Sequence, residues 1–327
     1  MKRLYVIFIL FFIPLLSLAQ QINGEILTHT FSIVAYDAER GEIGVAVQSH
    51  WFSVGSIVAW AEPGVGAVAT QSLVNVSFGP RGLQLMKEGK TPQQVLSGLL
   101  QSDEGSAFRQ VALIDAQGRV ATHTGDKCIA DAGHIMGKNY SVQANMMLNK
   151  KVVPAMSKAF EEAKGPLAER MIAALQAAQQ AGGDIRGQQS AALQVVKTKA
   201  SGKFWEDRLI DLRVEDHPQA VTEIARLLKV FRAYEHMNNG DLAIEKGDEA
   251  TALLEYKAAQ DMFPDNVEMK YWTAVSLANS GKLDEALALF KTVFAANANY
   301  IELTRRIVPN GLLQVDKKTL RLILNTD

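Results

Sequence analysis

Polar and apolar residues alternate through THTFSIVAYD, from Thr28 to Asp37. Thr28, Thr30, Ser32 and Val34 fall on one face, and His29, Phe31, Ile33 and Ala35 on the other. That period of two predicts a strand. AERG then reads as a turn and EIGVAVQS as a second strand, so the pair makes a hairpin. GSIVAWAEPG and GVGAVATQS predict two more strands, the second nearly all apolar and so covered on both faces. GPRGLQLMKEG and TPQQVLSGLLQS predict helices, and Thr91 before Pro92 is an N-cap followed by proline in the first turn. FRQVALIDAQGRVATHTG predicts a second hairpin around DAQG. From 150 to 182, Met156, Phe160, Leu167, Met171, Leu175 and Ala178 recur at helical spacing, and Gly182-Gly183 ends the run. SAALQVVKTK and RLIDLRVEDH return to strand. Strands and helices in blocks suit an α+β layered domain better than a regular βαβ repeat.

The pattern changes near His217-Pro218, beyond which almost everything has helical spacing. Gly247 and Gly281 lie 34 residues apart, and Ala252, Leu253 and Tyr256 match Ala286, Leu287 and Phe290 at the same offset. A 34-residue period with glycine at the turn resembles a tetratricopeptide repeat. One such helix pair cannot bury its apolar face alone and needs a neighbour, here the other pair and the helix from Pro218 to His236. The second unit departs from the pattern, with Ala298 standing where Pro264 closes the first. A plain helical bundle is the alternative reading.

The N-terminus has a basic start (Lys2, Arg3), an apolar stretch from Leu4 to Leu16 and small residues at Ser17 and Ala19. This is the pattern of a secretory signal peptide over residues 1–19. The stretch is shorter than the about 20 residues of a spanning helix and is broken by Pro14, so no stable membrane anchor is expected. The expected division is signal peptide 1–19, leader 20–27, a sandwich domain 28–217 and a helical domain 218–327, in an exported protein that is periplasmic or extracellular. Lys and Arg number 34 against 35 Asp and Glu, so no basic excess favours nucleic acid. Cys128 is the single cysteine, which excludes an intrachain disulfide and a multi-thiolate metal cluster. The six histidines show no metal-ligand spacing, and GVGAVATQ lacks the pattern of a dinucleotide loop, so no metal and no cofactor are expected.

Thr30 is the chemistry to weigh first. A threonine hydroxyl is a weak nucleophile unless a base stands beside it, and the α-amine of a chain-terminal threonine can be that base. Its unperturbed pKa of about 7.7–8.0 lies close to working pH. Locally Thr30 also reads as an ordinary polar residue at the start of a strand.

Four motifs carry a family resemblance: TFSIVAYDAERGEIGVAVQSHWFSVGS, GVGAVATQS, AGGDIRGQQSAAL and IDLRVEDHP. Between about Thr28 and Pro218 they resemble, in order, the Ntn-hydrolase-like family called "domain of unknown function 1028". The resemblance implies a four-layer αββα sandwich, here followed by a small all-α helical-repeat domain like the extension labelled peptidoglycan-binding in longer members. Members usually place the TFSIVA threonine at or next to the chain start. If the signal peptide is cut after Ala19, ten residues, Gln20 to His29, still precede Thr30. Its amine is then free only after a further cut between His29 and Thr30. Ser32 and Thr28 share its face as weaker candidates.

The expected hairpin puts Gln48, Ser49 and His50 beside Thr30, with His50 as a general base near neutral pH. Thr70, Gln71 and Ser72 stand where a buried strand gives way to a loop, and the resemblance implies that oxyanion donors come from there. Asn145 is expected to orient substrate or oxyanion, with a backbone-bonded strand amide as the alternative. In QAGGDIRGQQSA, Arg186 is read as a fork for a substrate carboxylate with Asp184 and Gln189 beside it, or as an Asp184–Arg186 pair that locks the loop. Arg109 is read as structural.

Two functions follow. One is an exported Ntn-type amidohydrolase acting on a small amide or peptide-like substrate. The other is a non-catalytic envelope protein whose sandwich and repeats hold a peptide or glycan. Expected partners are that substrate and a cell-wall or protein partner on the repeats. A homo-oligomer follows from the resemblance alone.

Overall fold

Strands come first in the computed structural model, which describes residues 26–28 and 30–326. The expected signal peptide and the leader up to Glu25 lie outside the described residues. The chain runs β1 (Ile26–Thr28), β2 (Thr30–Asp37), β3 (Glu42–Ser49), β4 (Ala59–Glu62) and β5 (Gly66–Val74). Two helices follow, α1 (Phe78–Lys87) and α2 (Pro92–Gln101). Next come β6 (Arg109–Asp115), β7 (Val120–Thr124), β8 (Gly133–Gly137) and β9 (Tyr140–Ala144). Helices α3 (Val152–Glu162) and α4 (Leu167–Gln180) precede β10 (Ser190–Lys197), the short α5 (Phe204–Asp207) and β11 (Arg208–Val214).

One sheet has the order β11-β10-β3-β2-β9-β8, every pair antiparallel. The other has β5 at its centre, paired with β6 and then β7 on one side. On the other side of β5, β4 covers Gly66–Ala69 and β1 covers Ser72–Val74. Strand alternation sorts the core into three seams. Phe31, Ile33, Ala46, Val142 and Leu193 face α3 and α4. Val34, Val45, Val47, Ala67, Ala112 and Ile114 meet between the sheets. Val68, Val111 and Leu113 face Phe78, Leu83, Val95 and Leu99 of α1 and α2. This is the expected four-layer αββα sandwich.

Several local expectations need correction. The run from 150 to 182 is two helices, because Gly165 takes φ +101° and Pro166 has no N–H to continue the ladder. GSIVAWAEPG is a 3-10 turn at Val54–Ser56 before a strand that starts only at Ala59. The hairpin β8–β9 has no counterpart among the elements read from the sequence. The N-cap at Thr91 is a full capping box: the Gln94 N–H donates to Thr91 Oγ1 at 3.3 Å, and the Thr91 N–H donates to Gln94 Oε1 at 2.9 Å.

Beyond the sandwich lie α6 (Ala220–Glu245), α7 (Glu249–Met262), α8 (Val267–Asn279), α9 (Leu283–Ala296), α10 (Asn299–Ile307) and α11 (Lys317–Leu324). The helix expected to stop at His236 continues to Glu245. Its first half buries Ala220, Val221, Ile224 and Leu228 against the sandwich, and its second half pairs with α7. Gly247 and Gly281 end equivalent helices at φ +71° and +73°. The matched residues Ala252 and Ala286, and Tyr256 and Phe290, are all buried. Among the described residues no helix is long and apolar enough to cross a membrane.

Candidate functional site

Thr30 opens β2, next to the centre of its sheet, opposite Ser49 of β3. It shares the face of Ser32 and Val34, so its side chain is directed at the other sheet, and it is fully buried. The chain reaches it from that other sheet: β1 pairs with β5, and one residue later β2 begins. The described strands on either side of this point therefore belong to different sheets.

Three N–H groups converge on the Thr30 carbonyl. The Asn145 backbone N–H donates at 3.1 Å, Gln71 Nε2 at 3.2 Å and Asn145 Nδ2 at 3.5 Å. Gln71 Nε2 and Asn145 Nδ2 also donate to Gln110 Oε1, at 2.7 and 2.9 Å. In this state both amides hold Thr30 in position, rather than standing open as the expected oxyanion donors. Ser32 Oγ donates to Gln71 Oε1 at 2.6 Å and accepts from Gln143 Nε2 at 2.6 Å. Gln110 Nε2 reaches the Ala144 carbonyl and Thr124 Oγ1, both at 2.9 Å. The result is a buried polar layer between the sheets, with Ser32, Gln71, Gln110, Gln143 and Asn145 all fully covered. Such a layer fixes its members tightly, because an unmade bond there is costly.

Backbone strain gathers beside it. Ser72, next to Gln71, has φ +75°, and Met146, next to Asn145, has φ +58°. Non-glycine residues held at positive φ cost on the order of 1–3 kcal/mol and cluster at functional sites.

The remaining candidates lie around this centre. His50 is one residue beyond the Thr30–Ser49 pair; its N–H donates to Asp184 Oδ2 at 3.2 Å, and its ring stands against Gly187. Its Nδ1 is buried and meets no hydrogen-bond partner among the described residues. Asp184 is fully buried and takes the Arg186 side chain as a fork, at 3.0 Å from Nε and 2.7 Å from Nη2. The loop-locking alternative thus describes this pair, and two of the groups expected to meet substrate are engaged with each other. Gln48 shares the helix-facing side of β3 with Ala46 and donates to the Gly187 carbonyl at 3.5 Å. Thr70 shares the face of Val68, toward α1 and α2, and donates to the Asn75 carbonyl at 3.2 Å. Strand alternation turns both away from Thr30, which corrects the expected place of Gln48 beside it, and Thr70, expected where the strand gives way to a loop, lies inside β5. Gln189 lies outside as well, donating to Asp216 at the surface.

Gln110, Gln143 and Ser32 are the members that the sequence reading missed or ranked low. The signal was present: Gln71 and Gln110 interrupt otherwise apolar strands, and Ser141, Gln143 and Asn145 alternate in YSVQAN. Arg109 is structural, as expected. It is almost fully buried, with Nε and Nη2 on Asp103 at 2.7 and 3.1 Å and Nη1 on the Leu73 carbonyl at 2.7 Å. Burial pushes the Asp103 carboxyl up, but Arg109, the Gly105 N–H and the Asn75 amide outweigh it and hold it below the usual carboxylate range. Cys128 lies behind this strand, with Sγ 3.5 Å from the Arg109 carbonyl; burial pushes its thiol up, against a smaller opposing effect of the Ser72 hydroxyl.

A four-layer sandwich with a fixed threonine at a strand start defines the structural class. The family described as "Family of unknown function (DUF1028)" matches residues 30–224, and the chain belongs to it. Residues 243–305 match the tetratricopeptide repeat, a module that mediates protein–protein contact. Among solved structures, protein SPO2555 from Silicibacter pomeroyi, of the same family, is similar at 30% identity and a TM-score of 0.56, over 62% of this chain and 85% of that one. Anbu (ancestral beta-subunit) from Yersinia bercovieri aligns over 62% of this chain and 96% of its own, at 12% identity and a TM-score of 0.28. No curated protein matches.

Proposed function

We propose that this is an exported Ntn-type amidohydrolase, with residues 28–217 as its catalytic unit and Thr30 as a nucleophile that becomes competent when the bond before it is cut. The observation that carries this reading is the placement of Thr30: first in its strand, directed between the sheets, its carbonyl gripped by Asn145 and Gln71. The described leader pairs with β5 over three residues, so little strand pairing is lost when it leaves. The freed amine would take the Thr30 hydroxyl proton as Oγ1 attacks a small amide or peptide-like carbonyl. The leaving amine would depart with that proton, and water would then hydrolyse the ester. In an uncut chain the base would have to be His50, one residue beyond the Thr30–Ser49 pair, whose buried Nδ1 meets no hydrogen-bond partner among the described residues. The Lys2–Ala19 pattern supports export.

The second reading, a non-catalytic envelope-binding protein, is favoured by one observation: Thr30 is fully buried while the leader is attached. Intact-mass analysis and N-terminal sequencing of the secreted chain separate the two. A chain starting at Thr30 supports amine-assisted catalysis. A chain starting near Gln20 removes it, and equal amide turnover by wild type and Thr30→Ala removes Thr30 as the nucleophile.

A further inference from the structure

The helical domain holds a cavity of about 270 Å³ between α6, α7, α8 and the segment after α10. That is slightly below the about 300–1,000 Å³ of drug-sized ligand sites, so it suits one amino-acid side chain. Tyr256, Trp272 and Leu312 form apolar walls, and the exposed carboxylates of Asp241 and Glu245 stand on the α6 side. Asp241 accepts a hydrogen bond from the Tyr256 hydroxyl at 2.7 Å. Neither carboxylate has an ion-pair partner among the described residues. A second feature also points to a ligand. Ser276 is 1% exposed and lines the cavity, yet its Oγ has no hydrogen-bond partner among the described residues. A buried hydroxyl left unpaired is unfavourable, and a ligand donor or acceptor would satisfy it.

The chemistry that fits is an aliphatic stem with a cationic end. The stem packs on Trp272 and Leu312, the charge meets Asp241 and Glu245, and aromatic faces favour a nearby cation. We propose that this cavity receives a lysine or arginine side chain presented by an extended peptide, independently of any chemistry at Thr30.

Fluorescence anisotropy on the full secreted chain tests this, using labelled Gly/Ser peptides with lysine, arginine, norleucine or glutamate at the centre. The lysine or arginine peptide should bind saturably. Norleucine, with the stem but no charge, should bind about tenfold more weakly, and so should the cationic peptide to Glu245→Lys or Ser276→Leu. Glu245 is exposed, so Glu245→Lys remains informative if Ser276→Leu fails to fold. Equal affinity for the norleucine and cationic peptides overturns the proposal. So does unchanged affinity in Glu245→Lys, or no saturable binding of either cationic peptide up to about 1 mM.

Discussion

Gln71 on one sheet donates from Nε2 to the carbonyl of Thr30 on the other, at 3.2 Å. The same side chain accepts from Ser32 Oγ at 2.6 Å, so a single amide ties the strand start to the polar layer between the sheets. Because all of these atoms are buried, their bonds define the position of Thr30 more strictly than apolar packing would.

Gln71→Leu should therefore destabilise the chain by about 1–3 kcal/mol, since Ser32 keeps its donor from Gln143 but loses its acceptor. Gln71→Glu should cost more at pH 7, because its carboxylate would face the Gln110 Oε1 and Thr30 carbonyl oxygens. Burial would raise that carboxyl above the unfolded value of about 4.3, so the added cost should disappear as pH falls. Urea midpoints at pH 7 and pH 5 check both. A Gln71→Glu variant equally destabilised at the two values would contradict this picture.

A second prediction concerns Asp103 and Arg109. With its folded pKa depressed, Asp103 contributes stability above the unfolded value of about 3.9, and that contribution is lost as pH falls through the folded pKa. Asp103→Ala removes the carboxylate that takes Nε and Nη2 of the buried Arg109 and should cost on the order of 1–3 kcal/mol at pH 7. The difference from wild type should narrow on acidification below about pH 4. Denaturant titrations across that range read it directly.

How much of this was legible follows from the same alternation that opened the sequence. In β2, β5 and β6 the apolar residues outnumber the rest, and in β3 they make up half, so the strands could be read. β8 has glycine at both ends and partly exposed residues between, which gives period-two reading little to work on. The site was harder for a specific reason. Alternation ordinarily assigns polar residues to solvent, but Ser32, Gln71, Gln110, Ser141 and Gln143 point inward and satisfy one another. The local signal, a glutamine interrupting an apolar strand, marks Gln71 and Gln110 as unusual but does not say which partners satisfy them. Strand ends put Gln48 beside Thr30 and Thr70 at the start of a loop, yet Thr70 lies inside β5 and each is one position out of phase with the inter-sheet face.

Cys128 offers a probe of the same region. Its raised thiol pKa disfavours the thiolate that alkylating reagents require. Iodoacetamide at about pH 8 should label it more slowly than free cysteine, followed by mass spectrometry. Labelling at the free-cysteine rate would mean that the Arg109 strand opens readily.

The last prediction concerns Gly240 on α6. Glycine inside a helix costs about 1 kcal/mol relative to alanine, so Gly240→Ala should stabilise an isolated helix. Here a Cβ would stand 2.5 Å from the Tyr256 ring, which is itself buried and tethered through its hydroxyl to Asp241. Overpacking of this kind costs about 1–3 kcal/mol, so the clash should prevail and the thermal midpoint should fall. Tyr256→Leu removes the ring and with it the clash. In that background Gly240→Ala should raise the midpoint instead, leaving only the helix-propensity gain. A midpoint that changes in the same direction in both backgrounds would show that the ring is not what requires glycine at this position.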